Sequence, residues 1–321
     1  MKRIALAAAL AAAFTGSAFA QSSVTLYGRI NTTVEARKFS SADDEVYGMF
    51  NNASRWGLRG TEDLGGGLKA FFQLESGFGS DNGSGTGGFS RDAYVGLNSA
   101  SLGQVKLGKF NTFGYYATVD YIGNFNHNTG LTSEDNLYGL AVTLNNAVEY
   151  VTPTFGGFTG SATVAAGEGS ATQTKFYEVA GAYDMGALHL GAAWNKAEIL
   201  GQDVVKGFTL GAWYAFGPFG VGASFDQADR PVLGKRDHVA LTGMYTMGNS
   251  EFHLSYGWAD EWDNAADTDA QQITLGYNYN LSKRTKVYAF FFKTNTGAAA
   301  TDYGDPGEDI RSLGFGIRHN F

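Results

Sequence analysis

The chain has 321 residues, a formal net charge of −8 at pH 7 and no cysteine. The missing thiols exclude a disulfide scaffold, a thiolate metal site and a cysteine nucleophile, and the acidity argues against a nucleic-acid partner. Its 45 glycines are about twice the usual share, 14% of residues are aromatic and only 17% are charged, a balance that does not suit disorder.

Lys2 and Arg3 precede an apolar run from Ile4 to Phe14, and small residues then lead to Ala18-Phe19-Ala20. A basic start, a short apolar stretch and an A-x-A site make the pattern of a secretory signal peptide. Residues 1–20 are therefore expected to be removed on export, leaving residues 21–321 as a single domain. Loss of Lys2 and Arg3 takes the formal charge from −8 to −10.

No later segment predicts a membrane-crossing helix. The uncharged stretch 208–225 carries Gly211, Gly217, Pro218, Gly220 and Gly222, and glycine and proline disfavour a helix interior by about 1 and 3 kcal/mol each. It alternates instead. Phe208, Leu210, Ala212, Tyr214 and Phe216 share one parity, Gly217-Pro218 turns the chain, and Phe219, Val221, Ala223 and Phe225 repeat the pattern. That spacing predicts a β-hairpin.

The same period of two runs along the chain. Val24, Leu26, Ile30 and Val34 oppose Thr25, Tyr27, Arg29, Asn31 and Glu35. Leu68, Ala70, Phe72 and Leu74 oppose Lys69, Gln73 and Glu75. Leu188, Leu190 and Trp194 oppose His189, Gly191 and Asn195, and the alternation returns at 251–258, 272–279 and 313–318. Seven short turns, among them 63–67, 99–103, 184–186 and 281–283, alternate with eight longer polar stretches near 38–52, 79–90, 110–145, 167–174, 199–205, 228–236, 260–269 and 295–309. These connections join sixteen strands.

A soluble sandwich would bury its apolar faces against each other and would not sort its connections into a short-turn end and a long-loop end. A membrane barrel explains both features. In lipid every backbone N–H and C=O must be paired, and a closed sheet does so without edges. Outer-membrane barrels have even strand numbers, short turns at one rim, long loops at the other and aromatic girdles. The predicted fold is all-β, a 16-stranded antiparallel transmembrane β-barrel. Sixteen strands leave an aqueous channel.

At the residue level the chain resembles the general trimeric porins of Gram-negative bacteria, beta-proteobacterial type. The stretches that carry the resemblance are Ser23-Val24-Thr25-Leu26-Tyr27-Gly28-Arg29, the run from Ser54-Arg55-Trp56-Gly57 to Gly67, Arg91-Asp92-Ala93-Tyr94-Val95-Gly96-Leu97, Leu102 to Lys109, Pro153 to Phe158, and the terminal Gly316-Ile317-Arg318-His319-Asn320-Phe321. The resemblance implies an outer-membrane homotrimer that lets ions and small hydrophilic solutes diffuse passively. It implies that the stretch 110–145 is the third outer loop, folded into the lumen. Its acidic groups, Asp120, Glu134 and Asp135, would then face a basic wall of Arg29, Arg55 and Arg91. It also makes Phe321 the C-terminal insertion signal.

Alternation independently puts Arg29 and Arg55 on the lumen face, with Arg59 as an added candidate on the same parity. Arg91 shares parity with Ala93 and Val95, so a lumen position for it requires a bulge or a place above the lipid. Glu149 has lumen parity where relatives often carry arginine, which leaves the sign of ion selectivity open. No cofactor or metal is expected: the five histidines make no i, i+4 pair, and Gly83, Gly85 and Gly88 form a G-x-G-x-x-G that opens no helix. His189, His238 and His253 are expected as wet lumen groups. No motif pairs a serine with a histidine for a barrel enzyme. A substrate-selective channel and an adhesin carried by the loops remain as alternatives. Single-channel conductance separates a channel from the other two classes, and saturable block by one solute marks a selective channel.

Overall fold

Successive side chains of a strand point to opposite faces, so this sequence builds ribbons with one apolar and one polar side. The computed structural model describes residues 23–85, 87–123, 130–168, 175–199 and 202–321. The expected signal peptide, residues 1–20, and His127 lie outside the described residues. In chain order the strands are β1 (Ser23–Phe39), β2 (Glu45–Asn51), β3 (Arg55–Gly65), β4 (Leu68–Gly77), β5 (Ala93–Ser99), β6 (Gly103–Asn111), β7 (Thr143–Val151), β8 (Phe158–Ala165) and β9 (Lys175–Met185). They continue with β10 (Leu188–Ile199), β11 (Gln202–Phe216), β12 (Phe219–Arg230), β13 (Gly234–Met247), β14 (Ser250–Ala259), β15 (Ala270–Asn280), β16 (Thr285–Thr296) and β17 (Ile310–Asn320). Two short helices, α1 (Phe113–Ala117) and α2 (Val119–Ile122), lie between β6 and β7.

The sheet closes on itself. β17 pairs antiparallel with β1 from Arg29 opposite Asn320 to Phe39 opposite Ile310. On its other edge β1 pairs residues Thr32 to Lys38 with β2 and residues Ser23 to Arg29 with β3. β2 and β3 are thus the two halves of one barrel strand, interrupted at 52–54, and the seventeen segments make a closed sixteen-stranded barrel. At the interruption Ala53 takes φ 51°. Side chains repair the ladder there. The Asn31 amide donates to Ser54 Oγ at 2.9 Å, Asn31 Nδ2 donates to the Asn52 carbonyl at 3.0 Å, and the Asn52 amide donates to the Asn31 carbonyl at 2.8 Å. Unpaired backbone groups at membrane depth would each cost several kcal/mol, which is why a break survives only with such substitutes.

The two faces fall as the alternation predicts. Leu254 and Leu275 are 48% and 49% exposed on the outer wall, whereas Asn278 is 1% exposed and faces inward. A band of rings crosses the outside of β11–β15 beside the short turns: Tyr214 to Phe216, Phe216 to Phe219, Phe219 to Tyr245, Tyr245 to Phe252 and Phe252 to Tyr277, with centroids 4.9–6.2 Å apart. Such rings suit the boundary between hydrocarbon and headgroups.

Three expected loops are shorter than their polarity suggests. Residues 45–51 form β2, residues 202–205 belong to β11, and β12 and β13 extend through 228–230 and 234–236. Above the lipid a strand needs no apolar face, and ion pairs across the hairpins take over. Lys196 meets Asp203 at 2.8 Å and Lys206 meets Asp229 at 3.6 Å.

Candidate functional site

Between β6 and β7 the chain leaves the wall, and its contacts are with the inward polar face. Thr112 caps α1, its hydroxyl accepting from the Tyr115 amide at 3.2 Å. The next two free amides go to wall carboxylates: Phe113 donates to Glu149 at 2.8 Å and Gly114 donates to Glu178 at 3.0 Å. Helix N-termini leave unpaired N–H groups and favour negative charge, so one carboxylate from β7 and one from β9 hold this end. Two glycines make room for the rest. A Cβ on Gly191 would lie 1.7 Å from the Ala117 carbonyl oxygen, and one on Gly211 would lie 2.8 Å from Thr118 Cα. Further along, Thr242 Oγ1 donates to the Ile122 carbonyl at 2.9 Å and Gln272 Nε2 donates to the Ser133 carbonyl at 2.9 Å.

His189 lies between Asp184 Oδ1, 2.7 Å from Nδ1, and the Ala117 carbonyl, 2.9 Å from Nε2. The Tyr121 ring stacks on it, with centroids 3.4 Å apart and planes 6° from parallel. His238 pairs with Asp226 at 2.6 Å, and His253 lies 3.6 Å from Glu251. All three histidines are buried. The expectation of wet lumen groups is corrected here, because the inward face is crowded by its own polar side chains and by the described residues 112–123 and 130–142, which bond to it.

The predicted basic residues occupy the inside of β1, β3 and the approach to β5. The Arg91 amide donates to the Glu75 carbonyl, while the Glu75 amide donates to the Asp92 carbonyl at 2.7 Å. Two residues therefore face one, a β-bulge, and it brings Arg91 to the side on which its strand parity would not place it. The Arg91 guanidinium pairs with Glu75 Oε1, and Arg55 Nε approaches the same oxygen at 3.9 Å. The Tyr27 hydroxyl donates to Glu75 Oε2 at 3.0 Å. Arg59 stands apart, its guanidinium 4.9 Å from the centre of the Tyr27 ring.

Arg29, Arg55 and Arg91 line one cavity of about 270 Å³ together with Asp120 and Asp135, and Tyr115, Tyr116 and Tyr121 complete much of its wall. Asp135 is held within its own segment, accepting from the Tyr115 hydroxyl at 2.6 Å and from the Ser133 hydroxyl. Burial and the neighbouring Asp135 carboxylate raise the Asp120 carboxyl above the usual range, against the opposing pull of the Tyr115 hydroxyl, Arg55 and Arg29. The side chain of Glu134 lies outside the described residues. Glu149 is inward as its parity predicts, but it is 1% exposed and tied up: Lys106 Nζ lies 2.8 Å from one oxygen, and Thr163 and the Phe113 amide hold the other. It anchors α1 and presents no free charge to the lumen.

The family model of the Gram-negative porins matches residues 5–299. The chain belongs to that family. It is 35% identical to outer membrane porin protein 32 of Delftia acidovorans and 32% identical to an outer membrane porin protein of Bordetella pertussis, each alignment covering 100% of both chains. Among solved structures it superposes on the anion-selective porin from Comamonas acidovorans with a TM-score of 0.79 and 32% identity, over 94% of this chain and 100% of that one. The porin is thus an outer-membrane channel for passive diffusion.

Several residues of the porin's site escaped the sequence reading. Glu75 read only as a polar-face residue and Glu178 drew no reading at all, and nothing in the alternation says that one is clamped by two arginines and the other by a helix. Gly191 and Gly211 carried a signal: glycine at lumen parity, where lipid packing imposes no demand, marks a place where another piece of backbone comes close. Arg318 lies on the inner face opposite Asn31, one inward step from Arg29, and its parity was legible.

Proposed function

We propose that segment 112–142 forms the narrow part of this channel and that Arg29, Arg55 and Arg91, facing Asp120 and Asp135, set a transverse field there. A polar solute exchanges its water contacts for these charges, whereas an apolar solute must disrupt them. Rings and walls of charge bias ion selectivity, and this one favours anions. The observation that carries the reading is the single cavity lined by all five groups. The pairing of Glu149 with Lys106 at 2.8 Å supports the sign, because it removes the acidic charge that weighed against anions. The similarity to a porin described as anion-selective supports it as well.

In planar bilayers the purified protein is expected to give stable stepwise conductance without an energy source. Its reversal potential in a salt gradient is expected to favour chloride, and Arg29→Gln with Arg55→Gln to move it toward potassium. Reversal potentials identical in wild type and variant would remove these arginines from the narrow part.

Three copies associate on this reading, and the terminal residue serves barrel insertion. Phe321 ends the chain on the outer wall with its ring against Gly28, where a Cβ would lie 2.3 Å from Cζ. Support for association comes from an outer-wall depression lined by Val34, Met49, Phe315 and Ile317 that also carries the Thr32 and Ser80 hydroxyls, 2.6 Å apart. Hydroxyls on that wall suit a protein neighbour better than acyl chains.

A further inference from the structure

One group in the lined cavity lacks what its burial demands. Arg29 is 9% exposed, yet its Nη1 has no hydrogen-bond partner, and its Nε makes only a 3.4 Å contact with Asn320 Oδ1. Arg55 and Arg91 share Glu75, whereas no carboxylate among the described residues lies within salt-bridge distance of Arg29. A buried cation without a counter-charge is unfavourable unless an anion supplies one. Nη1 itself is sealed from solvent, but Arg29 lines the cavity, so an anion there would supply the missing counter-charge to its guanidinium.

The same cavity presents two rings. Tyr116 and Tyr121 are 43% and 45% exposed, although their neighbours Tyr115, Val119 and Ile122 are buried. Tyr121 is stiffened from behind by the stacked His189 imidazole, so its free face is presented as a plane. Flat rings pair with flat rings through offset or edge contacts that add to plain area burial. A volume of about 270 Å³ is close to the ~300 Å³ lower bound of small-molecule sites, which limits the occupant to one ring.

We propose that this cavity is a transit site for single-ring aromatic carboxylates, with Arg29 taking the carboxylate and Tyr116 and Tyr121 the ring. The inference rests on the cavity being the narrow part of the channel. It names the class of solute for which that narrowing is a binding site as well as a filter. The two loop carboxylates do not oppose it equally: both Asp135 oxygens already accept hydroxyl donors, and burial favours the neutral form of Asp120.

The test is block of chloride current through single channels at low ionic strength, where the guanidinium is least screened. Benzoate is compared with cyclohexanecarboxylate, which has a similar size and charge but no flat ring, and with acetate, which has the charge alone. In the wild type, benzoate is expected to block saturably at a concentration about five-fold below that of cyclohexanecarboxylate, the factor that an aromatic pairing contributes, and acetate to block last. Each variant is read as a ratio within itself, so altered conductance does not enter. Tyr121→Leu is expected to bring the benzoate to cyclohexanecarboxylate ratio toward one. Tyr116→Leu gives the same reading where the first variant yields no channels. Arg29→Gln is expected to remove saturable block by all three acids. Equal block by benzoate and cyclohexanecarboxylate in the wild type overturns the proposal while leaving the channel reading intact, and so does a ratio that survives both tyrosine variants. Absence of stepwise conductance in the wild type overturns the channel reading itself.

Discussion

Within the cavity, the charge that responds to pH is on the loop. Asp120 holds its proton at higher pH than an ordinary aspartate, because it is buried and Asp135 is its neighbour. An unperturbed aspartate titrates near ~3.9, so on acidification Asp120 becomes neutral before pH falls that far. Protonation removes a negative charge from the acidic side and leaves the arginines as they are, so the sign of the change is toward anions. The chloride-to-potassium permeability ratio is expected to rise as pH drops from neutral, with the rise starting above pH ~4, and to lose that early component in Asp120→Asn. A flat ratio down to pH ~4 would separate Asp120 from the conducting path. The positions of Arg29 and Arg55 were readable from parity alone. Arg91 was not, because a bulge shifts the register by one residue and a period of two has no memory of such a shift.

Among the elements, what positions the cavity is the seating of α1 and α2 on the inner wall. The seat is backbone against backbone at Gly191 and Gly211. Gly191→Ala puts a methyl where the Ala117 carbonyl oxygen already is, at 1.7 Å, and a carbonyl cannot rotate away as a side-chain end can. The helix is expected to lift, giving larger and noisier single-channel currents. Currents indistinguishable from wild type would mean that segment 112–142 does not narrow the path. Strand existence and order were legible because each strand must keep one face for lipid and one for water. Strand ends at the loop rim were not, since above the bilayer that demand lapses and polar hairpins such as β10–β11 keep pairing through ion pairs.

For the whole molecule, closure decides stability, and the association proposed above would be decided on the outer wall. β1 carries β17 on one edge and β2 with β3 on the other, so the ring of strands is closed between its first and last members. The depression between β15 and β2 brings hydroxyls to a wall that is otherwise greasy. Covering it with another copy would shield them. Phe315→Arg, which sets a charge in that depression, is expected to shift the detergent-solubilised protein from the mass of three chains to that of one. The cost of a charge on the lipid face of a barrel, up to about 2–4 kcal/mol at mid-depth, makes inserted yield the control to record. A wild-type protein with the mass of one chain would sink the trimer.

Alternation, turn chemistry and the two kinds of connection were enough to determine a closed sixteen-stranded barrel with its wet face inward, because those signals are local and repeat along the chain. They also put Arg29 and Arg55 on the pore side. What only the tertiary structure decided is what meets across the lumen: Glu149 and Glu178 on the helix amides, Gly191 under Ala117, Glu75 between two arginines, and two exposed tyrosines in one cavity with a guanidinium that has no carboxylate beside it. These contacts join residues far apart in sequence, and no periodicity records which residues meet across the space a ring of strands encloses.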